Sequence, residues 1–358
     1  MKMIPTTTSI ISAIALTMPL VSTNIANAQT ATVTVPTPTV YYSFDDLTAG
    51  ATLAANSATI ADSSGNGYDA QVRQRAVTVT SDGLSGNGLT NFTTGWWGNF
   101  ISASSQVRVN MQQYAPMPTG LVNDKGEPTY YFYSRNIPVT ISMWAKNPAT
   151  TPSSTINDGT TYEQDRFVLL GVAKDDNENT NNAWEVWLGK LDPETGLRTI
   201  NITWQAWSSG TLTTYTSEAF AWDPSAWYNV VLQYSPATGF EMNYSLYLTK
   251  QGDEFGAPIL SGTSVNSAAG PADANYIYFG GQNRTWSNAG TGGGSLGVNA
   301  IIDECAIWAT AEGALLTQEQ LAANFAKFAT VPVPEPAATV AFAGFLALVT
   351  VSLFRHRR

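Results

Sequence analysis

The side chains that could do chemistry in this sequence are carboxylates, amides and indoles, because imidazole and thiol groups are nearly absent. The single histidine is His356, close to the C-terminus, and the single cysteine is Cys305. These counts exclude a Ser-His-Asp or Cys-His catalytic centre in the body of the protein, a histidine- or cysteine-based zinc site and an internal disulfide. The 27 Asp and Glu residues against 17 Lys and Arg also argue against a nucleic-acid partner.

Two tryptophans fall on a pattern that could bind a sugar. The predicted strands 183–188 and 199–207 are joined by the turn Asp192-Pro193-Glu194-Thr195-Gly196, which favours a hairpin. Alternation then gives one apolar face and one mixed face, the latter carrying Glu185, Trp187, Asn201, Thr203, Gln205 and Trp207. Indoles stack on the C–H face of a sugar, and amides and carboxylates bind its hydroxyls. This pattern predicts a glycan site, unless segment 100–136 or a neighbouring loop covers the face.

One carboxylate lies in an otherwise apolar strand. Alternation along 301–308 predicts that Asp303 shares a face with Cys305 and Ile307 and points inward. An unpaired carboxylate there would be costly. Either backbone N–H groups or a hard cation such as calcium, which prefers oxygen ligands, must therefore satisfy it.

The N-terminus has the pattern of a secretory signal peptide. Lys2 precedes the apolar stretch 10–21, and Ala26-Asn27-Ala28 follows as a small-residue cleavage site. We expect signal peptidase to remove residues 1–28 and the rest of the chain to be exported.

The C-terminus has the pattern of a membrane segment. Residues 337–354 are uncharged and precede a cluster formed by Arg355, Arg357 and Arg358. As a helix they would span about 27 Å, close to the hydrocarbon core of a bilayer, with the arginines on the cytoplasmic side. Together with Pro334-Glu335-Pro336, this order resembles the PEP-CTERM sorting signal over residues 331–358. The resemblance implies a Gram-negative bacterium, cleavage by an exosortase, and delivery to the cell surface, outer envelope or extracellular matrix. A permanent C-terminal anchor is the alternative.

The segment between these ends reads as β-structure. Residues 29–39 are rich in Thr, Val and Pro and predict an extended linker. Short runs of β-branched and aromatic residues between turn-forming clusters then predict strands at 40–44, 76–80, 139–146, 167–173, 183–188, 199–207, 211–220, 227–234, 243–248, 276–279 and 301–308. Thr317-Gln318-Glu319-Gln320 is a capping box that predicts one short helix at the end of the body. The fold class predicted is an all-β, two-sheet antiparallel sandwich with a short C-terminal helix and a separate transmembrane helix.

The order of motifs resembles LamG-like jelly rolls of the concanavalin A-like type over residues 40–330. The resemblance is carried by 41–46 (YYSFDD), 61–70 (ADSSGNGYDA), 84–89 (LSGNGL), 139–146 (VTISMWAK), 227–231 (WYNVV), 245–248 (SLYL) and 301–308 (IIDECAIW). Residues 100–136 have no counterpart and are interpreted as an insertion. The resemblance implies a structural calcium near the first and last strands, with Asp45, Asp46, Asp62, Asn66 and Asp303 as candidate ligands.

These observations leave three functional hypotheses. The first is an exported, non-catalytic carbohydrate-binding protein associated with exopolysaccharide or matrix. The second is a structural or adhesive surface protein that contacts other proteins. The third, a glycoside hydrolase of the same superfold, needs a pair of carboxylates. Glu163-Gln164-Asp165 approaches the Glu-x-Asp-x-x-Glu pattern of laminarinase-type members, but Val168 stands at its last position, so we expect no enzyme.

Overall fold

The protein is described here by a computed structural model that covers residues 33–92, 94–97, 100–111, 138–146, 153–155, 161–163, 166–173, 182–189, 191–205, 212–237, 241–264, 276–281, 295–297, 300–309 and 315–329. The chain divides into two compact units, 1–33 and 34–358, and the second contains all elements given below. The predicted signal peptide, sorting motif and transmembrane helix lie outside the described residues.

The described part of the chain forms strands and one helix. In chain order they are β1 (Val40–Tyr42), β2 (Thr52–Leu53), β3 (Thr59–Ile60), β4 (Ala70–Arg73), β5 (Val77–Thr80), β6 (Gly88–Thr90), β7 (Thr94–Trp97), β8 (Phe100–Ser104), β9 (Gln106–Asn110), β10 (Val139–Lys146), β11 (Ser153–Thr155), β12 (Thr161–Glu163), β13 (Arg166–Ala173), β14 (Asn182–Gly189), β15 (Leu197–Arg198), β16 (Ile200–Gln205), β17 (Leu212–Thr216), β18 (Phe220–Ala221), β19 (Tyr228–Pro236), β20 (Met242–Lys250), β21 (Leu260–Thr263), β22 (Tyr276–Phe279), β23 (Ser295–Gly297), β24 (Ile301–Trp308) and α1 (Gln318–Ala329).

Two large sheets contain most of these strands. The first sheet has the order β2-β5-β6-β24-β10-β19-β20-β21, and β1 also pairs with β24. The second sheet has the order β17-β16-β14-β13-β22-β9-β4-β3, and β23 pairs with β13 in parallel. The other pairings within both sheets are antiparallel, so the prediction of an antiparallel two-sheet β-sandwich is confirmed.

A single apolar core lies between the sheets. Alternation in β10 and β19 buries Ile141, Met143, Val230 and Leu232 from the first sheet, and every second residue of β14 and β16 does so from the second. Aromatic rings cross the interface, as where Trp184 meets the edge of Tyr234 at 5.6 Å between centroids. The core therefore joins strands that are far apart in the sequence.

Helix α1 begins at the predicted capping box and covers the outer face of the first sheet. The Thr317 Oγ1 accepts a hydrogen bond from the Gln320 amide, and the Gln320 Oε1 accepts one from the Thr317 amide. Its apolar side buries Leu321 and Phe325, and the Phe325 ring stacks on Trp144 at 5.2 Å. No helix in the described part of the chain is long and apolar enough to cross a membrane.

The structure differs from two segment assignments made from the sequence, the insertion and the linker. Residues 106–110, assigned above to the insertion, form β9, which pairs with β4 and β22 inside the second sheet. Residues 34–39, predicted as a linker, pack against β24 because the Trp308 indole donates to the Pro36 carbonyl and the Thr39 amide donates to the Ile307 carbonyl. The folded body therefore begins before residue 40.

Candidate functional site

The predicted hairpin is present, and the residues of its strands whose side chains are described face the sides predicted for them. Strands β14 and β16 pair so that Trp187 lies opposite Asn201 and Glu185 lies opposite Thr203. Their apolar partners, Trp184, Val186, Leu188, Ile200, Ile202 and Trp204, all face the core. Gln205 ends β16, and Trp207 lies outside the described residues.

The mixed face of the hairpin continues across the other strands of the second sheet as a row of residues, which we call the polar row. Strand register places its members directly opposite one another, in the order Thr214, Thr203, Glu185, Gly171, Tyr278, Arg108, Gln71 and Thr59. Residues opposite one another on paired strands share a face, so the polar row lies on the side away from the core. Its two ends are exposed, whereas Thr203, Glu185, Tyr278 and Arg108 are buried.

A hydrogen-bonded group at one end of the polar row holds the indole of Trp187. The Trp187 Nε1 donates to the Thr203 Oγ1 at 2.9 Å, and the Thr203 hydroxyl shares a second bond of 2.9 Å with the exposed Thr214. Asn201 is fixed beside them because its amide donates to the Thr199 Oγ1 at 3.1 Å. The Trp187 side chain itself stays half-buried. Its orientation is therefore set by the sheet while part of the ring remains accessible.

The centre of the polar row carries a buried carboxylate. Glu185 is 6% exposed, and its Oε1 accepts a hydrogen bond from the Tyr278 hydroxyl at 3.0 Å. Gly171 lies between these two residues, and a Cβ at this position would come within 2.4 Å of the Tyr278 oxygen. The glycine therefore makes room for the contact between Glu185 and Tyr278.

A cation lies farther along the polar row. The Arg108 guanidinium carbon sits 4.4 Å from the centre of the Tyr276 ring, a cation–π geometry, and the Tyr276 hydroxyl accepts a bond of 3.3 Å from Asn110. Sequence reasoning missed Arg108 because it fell in the supposed insertion. It missed Tyr276 and Tyr278 as site residues although their spacing of two in a predicted strand was visible.

The second group of chemically distinctive residues is the acidic pair Asp303 and Glu304, on β24. Asp303 pairs with Trp144, whose ring packs under α1, so Asp303 lies on the helix side of the first sheet. The prediction that it shares a face with Cys305 and Ile307 is wrong. One residue of β10, Met143, stands opposite two of β24, Glu304 and Cys305, and Glu304 adopts a positive φ of 52°. This β-bulge reverses the alternation.

All four carboxylate oxygens of the acidic pair accept hydrogen bonds from the protein. The Asp303 oxygens accept from the backbone amides of Leu84 and Glu304, both at 2.8 Å. The Glu304 oxygens accept from the hydroxyls of Ser85 and Tyr41. Backbone N–H donors, one of the two alternatives considered above, therefore do satisfy Asp303.

Burial nevertheless favours the neutral form of both acids. Asp303 is fully buried, and desolvation, reinforced by the neighbouring Glu304 carboxylate, raises its pKa to about 8 in spite of its backbone N–H donors. Burial also raises the pKa of Glu304, against the lowering effect of its hydroxyl donors. Tyr41, half-buried beside them, has its pKa raised by burial and by its bond to Glu304.

The structure distributes the predicted calcium ligands over separate local networks. The Asp62 carboxylate accepts hydrogen bonds from the amides of Tyr41, Ser64 and Tyr68 and from the Ser64 hydroxyl. Asn66 donates to the Thr39 carbonyl, and the exposed Asp45 accepts from the Asn87 amide. Asp46 is also exposed.

The described residues contain no cluster of three or more acidic, His or Cys side chains arranged to hold a metal. Calcium binding stays a prediction.

Comparisons with known proteins give only weak structural similarities. No protein family and no curated protein match the sequence. A Trypanosoma rangeli sialidase in complex with sialic acid aligns at 13% identity and a TM-score of 0.40, over 82% of this chain and 33% of its own. An alginate lyase from Aplysia kurodai aligns at 9% identity and a TM-score of 0.35, over 64% of this chain and 86% of its own.

A carbohydrate esterase from the Shiga toxin-encoding bacteriophage phi24B aligns at 9% identity and a TM-score of 0.34, over 76% of this chain and 98% of its own. The chain thus spans about a third of the length of the sialidase. Similarities of this size assign neither a family nor an activity to this protein.

Proposed function

We propose that this protein is an exported, non-catalytic glycan-binding protein of the cell surface or matrix, which binds sugars on the outer face of its second sheet. The observation that carries the proposal is the exposed end of the polar row. There the accessible part of the Trp187 ring lies beside the hydroxyls of Thr203 and Thr214. An aromatic ring oriented by its neighbours and flanked by hydroxyl groups suits the two kinds of surface that a sugar presents.

The proposal includes the finer reading of fold and export given by the sequence. The sandwich would be a concanavalin A-like jelly roll. Signal peptidase would remove residues 1–28, and the segment 337–354 would tether the chain to the inner membrane until an exosortase cleaves near Pro334-Glu335-Pro336. The ligand would then be an exopolysaccharide or another glycan of the envelope of a Gram-negative bacterium.

Replacing the exposed aromatic ring tests this proposal. We expect Trp187→Ala to reduce retention of the purified body on exopolysaccharide, or its retardation in gels containing soluble polysaccharides, by tenfold or more, as for the loss of a stacked ring of about 1.5 kcal/mol. Trp187→Phe should keep part of the affinity, because the ring remains while the indole N–H is lost.

Phe255→Ala is the matched control, because it removes another half-buried ring, located on the helix side of the first sheet. Circular dichroism would verify that each variant is folded. Equal retention of wild-type protein and Trp187→Ala would contradict the glycan site and favour the adhesive protein that contacts other proteins.

A further inference from the structure

Arg198, on β15, is a buried cation that the proposed glycan site does not use. Its side chain is only 2% exposed. The Nε and Nη2 atoms both donate to the Gly189 carbonyl, at 3.0 and 2.6 Å. The third nitrogen, Nη1, is buried and has no hydrogen-bond partner among the described residues. A buried guanidinium nitrogen without an acceptor is unusual, because nearly all buried polar atoms are satisfied.

Two aromatic rings form the walls around this guanidinium. Its carbon lies 5.1 Å from the Phe167 ring centre and 4.8 Å from that of Trp222. Trp222 in turn stacks on Tyr228, with ring centres 4.0 Å apart and planes within 11°. Such a stack holds a planar cation in one orientation and stabilises its charge, but it offers no acceptor to Nη1.

The charge of Arg198 has no carboxylate partner among the described residues. Burial lowers its pKa to about 10, so the group remains protonated at neutral pH. The ion pair that the described part of the chain contains joins Lys250 to Asp223, not Arg198. A buried charge is normally paired with an opposite charge, because desolvation is otherwise uncompensated.

We propose that Arg198 binds a small monovalent anion of the size of chloride at Nη1. An anion supplies both missing elements, an acceptor for the free N–H groups and a counter-charge, whereas a water molecule supplies only the acceptor. Because Nη1 is buried, the side chains around it would have to move apart to admit the anion, which limits the ligand to a small ion. Phe167 and Trp222 belong to the core between the sheets, so this site is distinct from the outer face that carries Trp187.

Crystallography with bromide tests the proposal on the unmodified protein. Crystals of the mature chain soaked in sodium bromide should show an anomalous peak within hydrogen-bonding distance of the Arg198 Nη1. A water molecule or empty density at that position, with bromide only elsewhere, would overturn the proposal.

Thermal unfolding provides a second test in solution. The two salts to compare at constant ionic strength are sodium bromide and sodium glucuronate, whose anion is too large for the site. With bromide at about ten times its own dissociation constant, we expect a melting temperature about 3 °C higher than in glucuronate. Arg198→Met should abolish this rise, whereas the control Arg75→Met, which changes an exposed arginine, should retain it. Equal melting temperatures in the two salts, or an increase with glucuronate alone, would exclude a small-anion site. If Arg198→Met does not fold, the bromide peak in the wild-type crystal decides.

Discussion

The two outer faces of the sandwich both carry polar and aromatic side chains, but in the described part of the chain a helix covers only the face of the first sheet. On the first sheet, α1 packs Phe325 onto Trp144, and the acidic pair beneath finds all its hydrogen-bond donors within the protein. On the second sheet, the polar row is buried at its centre but exposed at both ends.

This difference separates a structural role from a binding role. The carboxylates of the acidic pair are hydrogen-bonded within the protein and help to specify the packing of the first face. On the second face, Thr214 and part of the Trp187 ring remain accessible while their positions are fixed by hydrogen bonds. The comparison therefore directs the search for a ligand to the second sheet. We expect variants of the first face to change mainly stability and variants of the second face to change glycan retention.

The largest effect is expected from removing the contact that closes the first face. Phe325→Ala deletes a buried ring that stacks on Trp144 and contacts Phe255, and we expect it to lower the free energy of unfolding by about 4 kcal/mol. Urea denaturation would measure the change. The exposed neighbour Ala326 provides a control, since Ala326→Ser should cost about 0.5 kcal/mol or less.

If Phe325→Ala had no larger effect than the control, α1 would not be a stable cover of the sheet. Glycan retention by a folded Phe325→Ala protein should equal that of the wild type, because Trp187 lies on the other sheet. A parallel loss of retention would mean that the two faces are not independent.

The second prediction concerns the pH dependence of the first face. The pKa of Asp303 rises from an ordinary 3.8 to about 8 in the folded protein, so between about pH 4 and pH 8 the folded state holds a proton that the unfolded state has lost. Unfolding then releases a proton, and this group's contribution to stability falls as the pH rises through that window. Between pH 5 and pH 8 the expected loss is about 3.5 kcal/mol, since stability falls by about 1.4 kcal/mol per pH unit while the proton is bound only in the folded state.

Asp303→Asn should flatten this dependence when unfolding free energies are compared at pH 5 and pH 8. A residual slope of the same sign should remain, because burial also raises the pKa of Glu304. The slope is the quantity to compare, since the asparagine amide cannot accept both backbone N–H groups and the variant is expected to be less stable throughout. Parallel curves for the variant and the wild type would show that Asp303 is already ionised at pH 5.

Local sequence patterns predicted the elements of both faces well. The strands 139–146, 276–279 and 301–308 have the predicted bounds, and the capping box begins α1 where expected. In β14 and β16, period-two alternation assigned every core residue to the correct side. These features depend on neighbours a few residues away, which is the information that periodicity and capping rules use.

The features that the sequence did not predict depend on register between distant strands. Glu304 occupies a bulge because β24 pairs with β10, more than 150 residues earlier, and the extra residue turned Asp303 to the helix side. The polar row likewise joins residues from Thr59 to Tyr278, which only the order of the strands brings together. A single sequence contains no direct signal for such pairings. The alternation rule therefore assigned Asp303 to the wrong face at the bulge, and the polar row could not be predicted.

The smallest expected effect concerns the hydrogen bond that orients Trp187 on the outer face of the second sheet. Thr203→Val keeps the shape of a buried side chain but removes the oxygen that accepts from the Trp187 Nε1 and bonds to Thr214. We expect a loss of about 1 kcal/mol in unfolding free energy and a two- to fivefold weaker retention on polysaccharide, because the ring would be less firmly oriented. Thr52→Val, at an exposed position of β2 in the first sheet, is the matched control and should change neither quantity appreciably. If Thr203→Val lowered stability but left retention unchanged, sugars would contact Trp187 without needing its indole N–H to be fixed. If stability did not change, the hydrogen bond between Trp187 and Thr203 would contribute nothing to the folded state.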